Sequence, residues 1–394
     1  MNAPLSLQIS APWLEEPAVR QIFDLLGAGA HEIYAVGGCV RNAILGSEGS
    51  DIDLSTSARP DEVIALAAAA GVKSVPTGIE HGTVTLVIGG TGYEITTWRR
   101  DVETDGRRAV VAFSDRIEED AMRRDFTMNA LYADREGRVI DPLGSGIADA
   151  HARHIRFVGE PSERIREDYL RILRFFRFYA HYGDPAEGPD PEGLAACAAL
   201  ADGIEQLARE RVGAEMKKLL TAPDPAPALA AMQASGVLAH VLPGADARSM
   251  ALLVHFEAGR RPSAMRRLAV LGGADPATDL RLSRQESRDY AQIRDHLGSM
   301  LSPAALAFKI GSAAALSTLL ARAALFETPP PSGAESDLIR GVQAQFPVRS
   351  TDLPELSGPA LGARLRQLEQ AWLGSDLRLS REELLALPAD VAGG

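Results

Sequence analysis

Cysteine is nearly absent: the 394 residues hold two, Cys39 and Cys197, far apart in the chain. A disulfide framework or a thiolate metal site needs more than that. Two isolated thiols fit a reducing compartment, so a cytoplasmic location is expected. Aromatic residues make up only 5%, while Ala and Leu recur throughout, which suits a chain dominated by helices. No apolar run approaches the roughly 20 residues of a membrane span. The first ten residues lack a basic stretch followed by an apolar core, so no signal peptide is expected. There is no G-x-G-x-x-G, which counts against a dinucleotide-dependent oxidoreductase. The C-terminal half has no His-Asp pair of the phosphohydrolase kind, so no added phosphatase activity is expected.

Positive charge is also scarce. Lys and Arg number 41 against 53 Asp and Glu, for a net charge of −12. Averaged over the chain, that argues against a nucleic-acid binder, which needs Lys and Arg for phosphate. The average hides local excesses. Residues 153–177 hold seven Arg against four carboxylates, and a second Arg-rich stretch spans 260–294. The bland reading of such runs is solvated helix faces.

What is present has an order. At roughly 100–200 residues per domain, the length predicts two to four domains. Residues 13–30 have helical spacing, and Ile33 to Val36 is a short apolar strand ending in Gly37-Gly38. A helix follows from Val40. Ser50 to Leu54 is a second strand, and a helix opens at Pro60. Residues 82–88 and 93–98 form a hairpin around Gly89-Gly90-Thr91-Gly92. Beyond about residue 155 the pattern is helical, broken at Pro- and Gly-rich stretches near 183–191, 222–227 and 329–333. The expected fold class is therefore α+β. A strand-and-helix part with a small mixed sheet spans 1–150, a first all-α part 151–225, and a second all-α part 226–394.

Asp51-Ile52-Asp53 is the key local feature. On a strand, residues two apart share a face, so both carboxylates converge while Ile52 turns to the core. Carboxylates that close repel unless cations lie between them. Hard oxygen donors suit Mg²⁺, which takes one or two carboxylates plus substrate phosphates. Two such ions can polarise an attacking hydroxyl and steady a leaving pyrophosphate. Taken alone, D-x-D reads more simply as a solvated strand edge. Its context changes that: Gly37-Gly38-Cys39-Val40-Arg41 follows a strand and opens a helix. Glycines there let backbone approach phosphate, and Arg41 adds a charged donor fork. Glu94, on a later strand, is the candidate third carboxylate.

Four strings then occur in order: Tyr34 to Asn42, Asp51 to Leu54, Arg123-Arg124-Asp125-Phe126-Thr127-Met128-Asn129-Ala130, and Glu167-Asp168-Tyr169-Leu170-Arg171 with Arg174. Together they resemble the family of class II tRNA nucleotidyltransferases (CCA-adding enzymes) and bacterial poly(A) polymerases. The clear likeness covers roughly residues 30–220. A weaker one includes Leu282-Ser283-Arg284 and Gly358 to Gly362.

The resemblance implies roles. Asp51 and Asp53 bind two Mg²⁺ ions. Gly38 and Arg41 contact the incoming triphosphate. Arg123, Arg124, Asp125 and Asn129 serve nucleotide binding, the last two near the ribose. Asp168 and Arg171 form a protein template: Asp168 accepts from the amino group of cytosine or adenine, and Arg171 donates to the adjoining ring acceptors. UTP and GTP present a carbonyl to Asp168 and are refused. On a continuous helix Asp168 and Arg171 share a face; the bland reading is an ion pair worth about 0.2–0.5 kcal/mol. Arg174 and Arg177 follow at three-residue steps and meet phosphate or brace the template.

Asp141 to Asp149 resembles the family's hinge, and Glu210 to Leu220 a structural helix closing the neck. A loop over Arg99 to Ala112 favours enzymes that add the terminal A. Two positions depart from the family pattern: Asn42 stands where Asp is usual, and Arg108 where His is usual. The expected partners are tRNA, at its 3′ end and elbow, with CTP and ATP as substrates. The elbow would lie along the chain beyond residue 225, with Arg260, Arg261, Arg266 and Arg267 as candidate contacts. No membrane and no obligatory protein partner are expected. The expected activity is template-independent CCA addition. Its alternatives are poly(A) synthesis, A addition alone, and a non-catalytic RNA-binding module.

Overall fold

Strand β1 (Ile33–Val36) is short because both its faces are covered: Ala35 and Val36 are fully buried and the run has no polar alternation. In the computed structural model, which describes residues 7–47, 49, 51–105 and 108–388, it lies near the middle of a seven-stranded sheet. The other strands are β2 (Asp53–Thr56), β3 (Lys73–Gly78), β4 (Thr83–Ile88), β5 (Thr91–Thr97), β8 (Tyr132–Ala133) and β9 (Val139–Ile140). Residues Arg99–Asp105 (β6) and Arg108–Phe113 (β7) pair separately as a two-stranded ribbon. The sheet order is β3-β4-β5-β2-β1-β8-β9, with β2 and β5 parallel and all other neighbours antiparallel. A mixed sheet of this kind agrees with the α+β expectation.

Several boundaries differ from the sequence reading, each for a local reason. The expected helix over 13–30 is split: residues 12–15 form a 3₁₀ turn, and α1 (Pro17–Ala28) begins at Pro17, whose missing N–H suits a first helical turn. Helix α2 (Gly38–Leu45) follows β1 directly, and α3 (Pro60–Ala69) follows β2. The strand expected from Ser50 begins only at Asp53, so Asp51 precedes it. Ile52 does not face the core; it lines a cavity of about 430 Å³ with Pro12 and Trp13. The segment expected as a loop over Arg99 to Ala112 is the β6-β7 ribbon, although Gly106 and Arg107 lie outside the described residues. β3 went unread because Pro76 and the glycine ends hide its alternation.

Past β7 come α4 (Ile117–Met122), α5 (Gly146–His151), α6 (Pro161–Glu167), α7 (Leu170–Tyr182), α8 (Pro191–Ala199), α9 (Arg209–Leu220), α10 (Ala226–Ala234) and α11 (Val237–Val241). Helix α7 buries Leu170, Ile172, Leu173, Phe175, Phe176 and Phe178. Phe126 packs against Phe157 at 5.0 Å and against Phe178 at 4.9 Å between ring centroids. Each such ring contributes roughly 1.5–3 kcal/mol by burial. This aromatic cluster fastens α7 to the segment that carries Asp125 and Asn129.

The chain divides into two compact units: residues 1–219 with 227–241, and residues 220–226 with 242–394. The second unit contains α12 (Met250–Glu257), α13 (Ala264–Leu271), α14 (Pro276–Asp279), α15 (Arg284–Arg294), α16 (Pro303–Ile310), α17 (Ser312–Leu325), α18 (Ala334–Gln343), α19 (Gly358–Gly374) and α20 (Arg381–Leu385). Its centre holds a buried ion triad: Glu257 accepts from Arg266 Nε at 2.7 Å and from Arg267 Nη2 at 2.7 Å. Arg267 also donates to the backbone carbonyls of Leu220 and Ala222. Arg266 and Arg267 are therefore structural and do not face an RNA; Arg260 pairs with Glu335, and Arg261 is exposed. No described helix is long and apolar enough to cross a membrane.

Helices α16 and α18 cross where Gly341 meets Ala304. A Cβ at 341 would lie 2.1 Å from the Ala304 carbonyl oxygen. Gly341→Ala is expected to destabilise this unit by about 1–3 kcal/mol, seen as an earlier urea transition. Gly298→Ala, where nothing lies within 4 Å, serves as the control and is expected to shift stability by less than about 0.5 kcal/mol.

Candidate active site

The turn from β1 into α2 exists because of Gly37. Its φ of 74° is in the region that favours glycine. A Cβ there would point at Arg124 Nη1, 3.5 Å away. The N–H groups that open α2, at Gly38 and beyond, have no acceptor within the helix itself and suit an anion. Arg41 lies one turn further on and is only 5% exposed. Its Nη1 donates to Asn129 Oδ1 at 2.5 Å, and its Nε and Nη2 donate to Asn42 Oδ1 at 3.1 and 2.8 Å. The guanidinium lies over the Tyr182 ring, 3.9 Å from its centroid, and 5.2 Å from that of Phe178. Burial pushes its pKa down.

Three carboxylates gather at the end of the parallel pair. Asp53 is in register with Glu94 across β2 and β5, so the two side chains leave the sheet on one face. Asp51 stands just before β2. The Asp53 carboxyl is raised above the ordinary Asp range, first by burial, then by the charge of Glu94; Asp51 adds to this, and Arg124 works against it. Among the described residues, no three His, Cys, Asp or Glu side chains enclose an ion by themselves. Mg²⁺ does not require such a cage: it keeps water and phosphate oxygens and takes one or two carboxylates. The all-oxygen donor set at Asp51 and Asp53 fits that ion.

Arg123 and Arg124 follow α4, and both bind Asp120, whose side chain is fully buried. Tyr132 donates its hydroxyl to Asp120 at 2.7 Å, and Arg124 Nε donates to that hydroxyl at 3.1 Å. Burial alone would raise the Asp120 carboxyl; Arg124 and Arg123 reverse this and bring it to about 2. Asp125 and Asn129 join the same layer. Asp125 accepts from Arg174 Nε at 2.8 Å and from Asn129 Nδ2 at 3.0 Å. Burial raises the Asp125 carboxyl, but Arg174 outweighs it and the net shift is downward.

Asp168 and Arg171 do not share a helix face. Helix α6 ends at Glu167, and Asp168 has an extended backbone (φ −156°, ψ 105°). Asp168 instead caps α7: its Oδ1 accepts from the Leu170 N–H at 3.1 Å, and its Oδ2 accepts from Arg211 Nη2 at 2.6 Å. Arg171 Nη1 donates to the Arg164 carbonyl at 2.7 Å and pairs with Glu167. The intrahelical Asp168–Arg171 ion pair is therefore absent as well. Arg174 reaches Asp125, and Arg177 pairs with the buried Glu215 of α9 at 2.9 Å. Asp141 fastens the following turn through the N–H groups of Gly144 and Ile147.

Three supporting residues escaped the sequence reading: Asp120, Arg211 and Tyr182. Asp120 looked like one more acid in Glu118-Glu119-Asp120. Arg211 and Tyr182 reach the site only through tertiary packing, which local spacing does not encode.

The chain is similar to known proteins. Residues 33–156 match the model of the poly A polymerase head domain, and residues 189–248 that of the probable RNA and SrmB-binding site of polymerase A. The chain is 32% identical to mouse (Mus musculus) mitochondrial CCA tRNA nucleotidyltransferase 1 over 93% of this chain and 89% of that protein. It is 43% identical to a CCA-adding enzyme of Levilactobacillus brevis over 55% of this chain and 53% of that one. The Bacillus stearothermophilus CCA-adding enzyme solved in complex with CTP superposes with a TM-score of 0.76 at 28% identity, covering 96% of this chain and 97% of that one. A Thermotoga maritima CCA-adding enzyme complexed with tRNA shares the fold, with a TM-score of 0.66 at 20% identity over 96% and 98% of the two chains.

The crowding at Asp53 has a measurable consequence. A carboxyl whose folded pKa is raised stabilises the fold at low pH and loses that contribution as pH rises through the folded value. In metal-free buffer near pH 8, Asp53→Asn is therefore expected to melt at a higher temperature than the unaltered chain. The gap should close as pH falls and Asp53 itself takes up a proton. A lower melting temperature for Asp53→Asn at pH 8 contradicts the repulsion.

Proposed function

The chain belongs to the family of CCA-adding tRNA nucleotidyltransferases, and from that premise we propose that it adds C, C and A in turn to the 3′ end of tRNA, from CTP and ATP and without a nucleic-acid template. The 3′-hydroxyl of the RNA attacks the α-phosphate of the nucleotide. A phosphodiester bond forms, the bond to the β-phosphate bridging oxygen breaks, and pyrophosphate leaves. The single observation that carries this reading is the in-register pair Asp53 and Glu94, set beside Asp51 and facing the Gly37-Gly38 turn.

Members of this family work with divalent metal ions. In our reading the ions are two Mg²⁺, held by Asp51 and Asp53, with Glu94 as the third carboxylate. Bound there, they would lower the pKa of the attacking hydroxyl and offset charge on the leaving pyrophosphate. The remaining steps belong to the chain itself. Gly38 and the α2 start receive phosphate oxygens through backbone N–H groups, and Arg41 supplies a charged fork. Arg123 and Arg124, anchored on Asp120, line the nucleotide's place. Asp125 and Asn129 lie where ribose hydroxyls would arrive.

Asp168 and Arg171 read the base. An ionised carboxylate has about four acceptor positions, and two of those on Asp168 are taken by Leu170 and Arg211. The others can accept from an exocyclic amino group. Arg171 is held through Nη1 alone, leaving Nε and Nη2 to donate to the ring. Arg174 and Arg177 brace this arrangement through Asp125 and Glu215.

We assign residues 1–150 to the catalytic head, 151–225 to the neck and 226–394 to the body and tail that hold the tRNA elbow. Shape and phosphate contacts would dominate there. Two free, buried cysteines suit a cytoplasmic setting.

The test is incorporation of labelled CTP and ATP, each alone and together, into tRNA lacking its last three nucleotides and into tRNA ending in CC. The expected products are two C, then one A, then a stop. Long A tracts without C would make this a poly(A) polymerase, and A addition to the CC-ending tRNA alone would make it an A-adding enzyme. Asp168→Ala is expected to lower the preference for CTP over UTP by at least on the order of a hundredfold, because the polar partner of the base is gone. Single-nucleotide incorporation with competing CTP and UTP measures this.

A further inference from the structure

Tyr132 lies just past Ala130, outside the four strings that carry the family likeness. It is fully buried on β8, in register with Val36 of β1, the last residue before the Gly37 turn. Its ring stands edge-on to Tyr34, 6.4 Å between centroids. Its hydroxyl makes two bonds at once: it donates to Asp120 Oδ2 at 2.7 Å and accepts from Arg124 Nε at 3.1 Å. A phenol can join a carboxylate to a guanidinium in this way because it is both donor and acceptor.

The second bond matters because Asp120 is shared. Arg123 takes Oδ1, and Arg124 reaches Oδ2 through Nη2 alone, at 3.0 Å. A bidentate pair would fix the plane of a guanidinium, whereas a single bond lets it turn. Tyr132 supplies the second point. With Nε and Nη2 held, Nη1 is the end that meets the Gly37 turn, 3.5 Å from where a Cβ there would stand. The charge of the same guanidinium reaches Asp53 and draws its carboxyl down. Arg124 thus stands between the turn and the carboxylates.

Two kinds of attraction arise at that place. The charge of Arg124 acts on a bound triphosphate at a distance and depends little on which way the guanidinium faces. A hydrogen bond to an oxygen that gains charge as pyrophosphate leaves is directional. The first contributes to binding, the second to the transition state.

We infer that Tyr132 is a positioning residue that fixes the direction of the Arg124 guanidinium, so that Arg124 meets the charge developing on the leaving pyrophosphate. The inference rests on the reading of this chain as a nucleotidyltransferase.

The test is single-turnover incorporation of labelled CTP, with Mg²⁺, by the full chain into tRNA lacking its last three nucleotides. Tyr132→Phe keeps the ring, with its edge on Tyr34 and its face toward Arg124, and removes only the hydroxyl. Its rate at saturating CTP is expected to fall by about tenfold or more, while the CTP concentration giving half that rate stays within about threefold. Arg124→Lys keeps the charge but loses the fork, and should show the same split. Adding Tyr132→Phe to Arg124→Lys should cost less than about twofold further, because the hydroxyl then has no fork to aim. A merely structural tyrosine would cost as much in either background. The inference is overturned if Tyr132→Phe keeps its saturated rate within about twofold of the unaltered chain, if the loss lies in half-saturation alone, or if the hydroxyl costs as much with Lys at 124 as with Arg. Should the unaltered chain add A where C is expected, the CCA reading falls, and the same split read on ATP still decides the inference. A chain that incorporates neither nucleotide overturns both.

Discussion

Carboxylates that share a small volume repel one another unless a cation lies between them, and the head sheet builds that situation into its centre. The parallel pairing of β2 with β5 sets Asp53 beside Glu94. The turn before β2 brings Asp51 to the same end. Among the described residues Arg124 is the positive charge that lowers the Asp53 carboxyl, and it is already committed to Asp120. Arg41, one turn past Gly37, is the complementary case, a buried guanidinium whose acceptors are the amide oxygens of Asn42 and Asn129. A metal–triphosphate complex carries the charge complementary to both groups.

The rest of the first unit serves to keep those charges in place. Asp120 and Tyr132 anchor Arg123 and Arg124 from below. Asp125, Asn129 and Arg174 run from the head segment to α7. The aromatic cluster around Phe126 seals that junction against water, which strengthens each polar contact within it. Arg211 and Glu215, both on α9, hold Asp168 and Arg177 in turn. The residues proposed to read the base are consequently fixed by contacts spread over some forty positions of sequence between α7 and α9.

Much of this was legible in the sequence. β1, the Gly-Gly turn, Asp53 and the β4-β5 hairpin each announce themselves through a change of period or a turn residue. The α+β division follows from the same signal. What was not legible depends on tertiary pairing. Arg266 and Arg267 look like an exposed basic run, but Glu257 nine and ten positions earlier draws them into the interior. Asp168 and Arg171 have helical spacing, yet the helix breaks at Asp168 because its carboxylate caps the next one. The ribbon over 99–113 reads as a loop because β6 and β7 pair only with each other, apart from the seven-stranded sheet. Asn42, an oddity against the family pattern, acquires a reason only when its amide is seen donating to Gly49.

The central claim is that Asp51 and Asp53 hold divalent ions beside the nucleotide's phosphates. The most direct measurement is Mn²⁺ titration followed by electron paramagnetic resonance, with and without a CTP analogue that cannot react. The account predicts two ions per chain with the analogue bound, and a loss of at least one in Asp53→Asn. Unchanged stoichiometry and affinity in Asp53→Asn would contradict it.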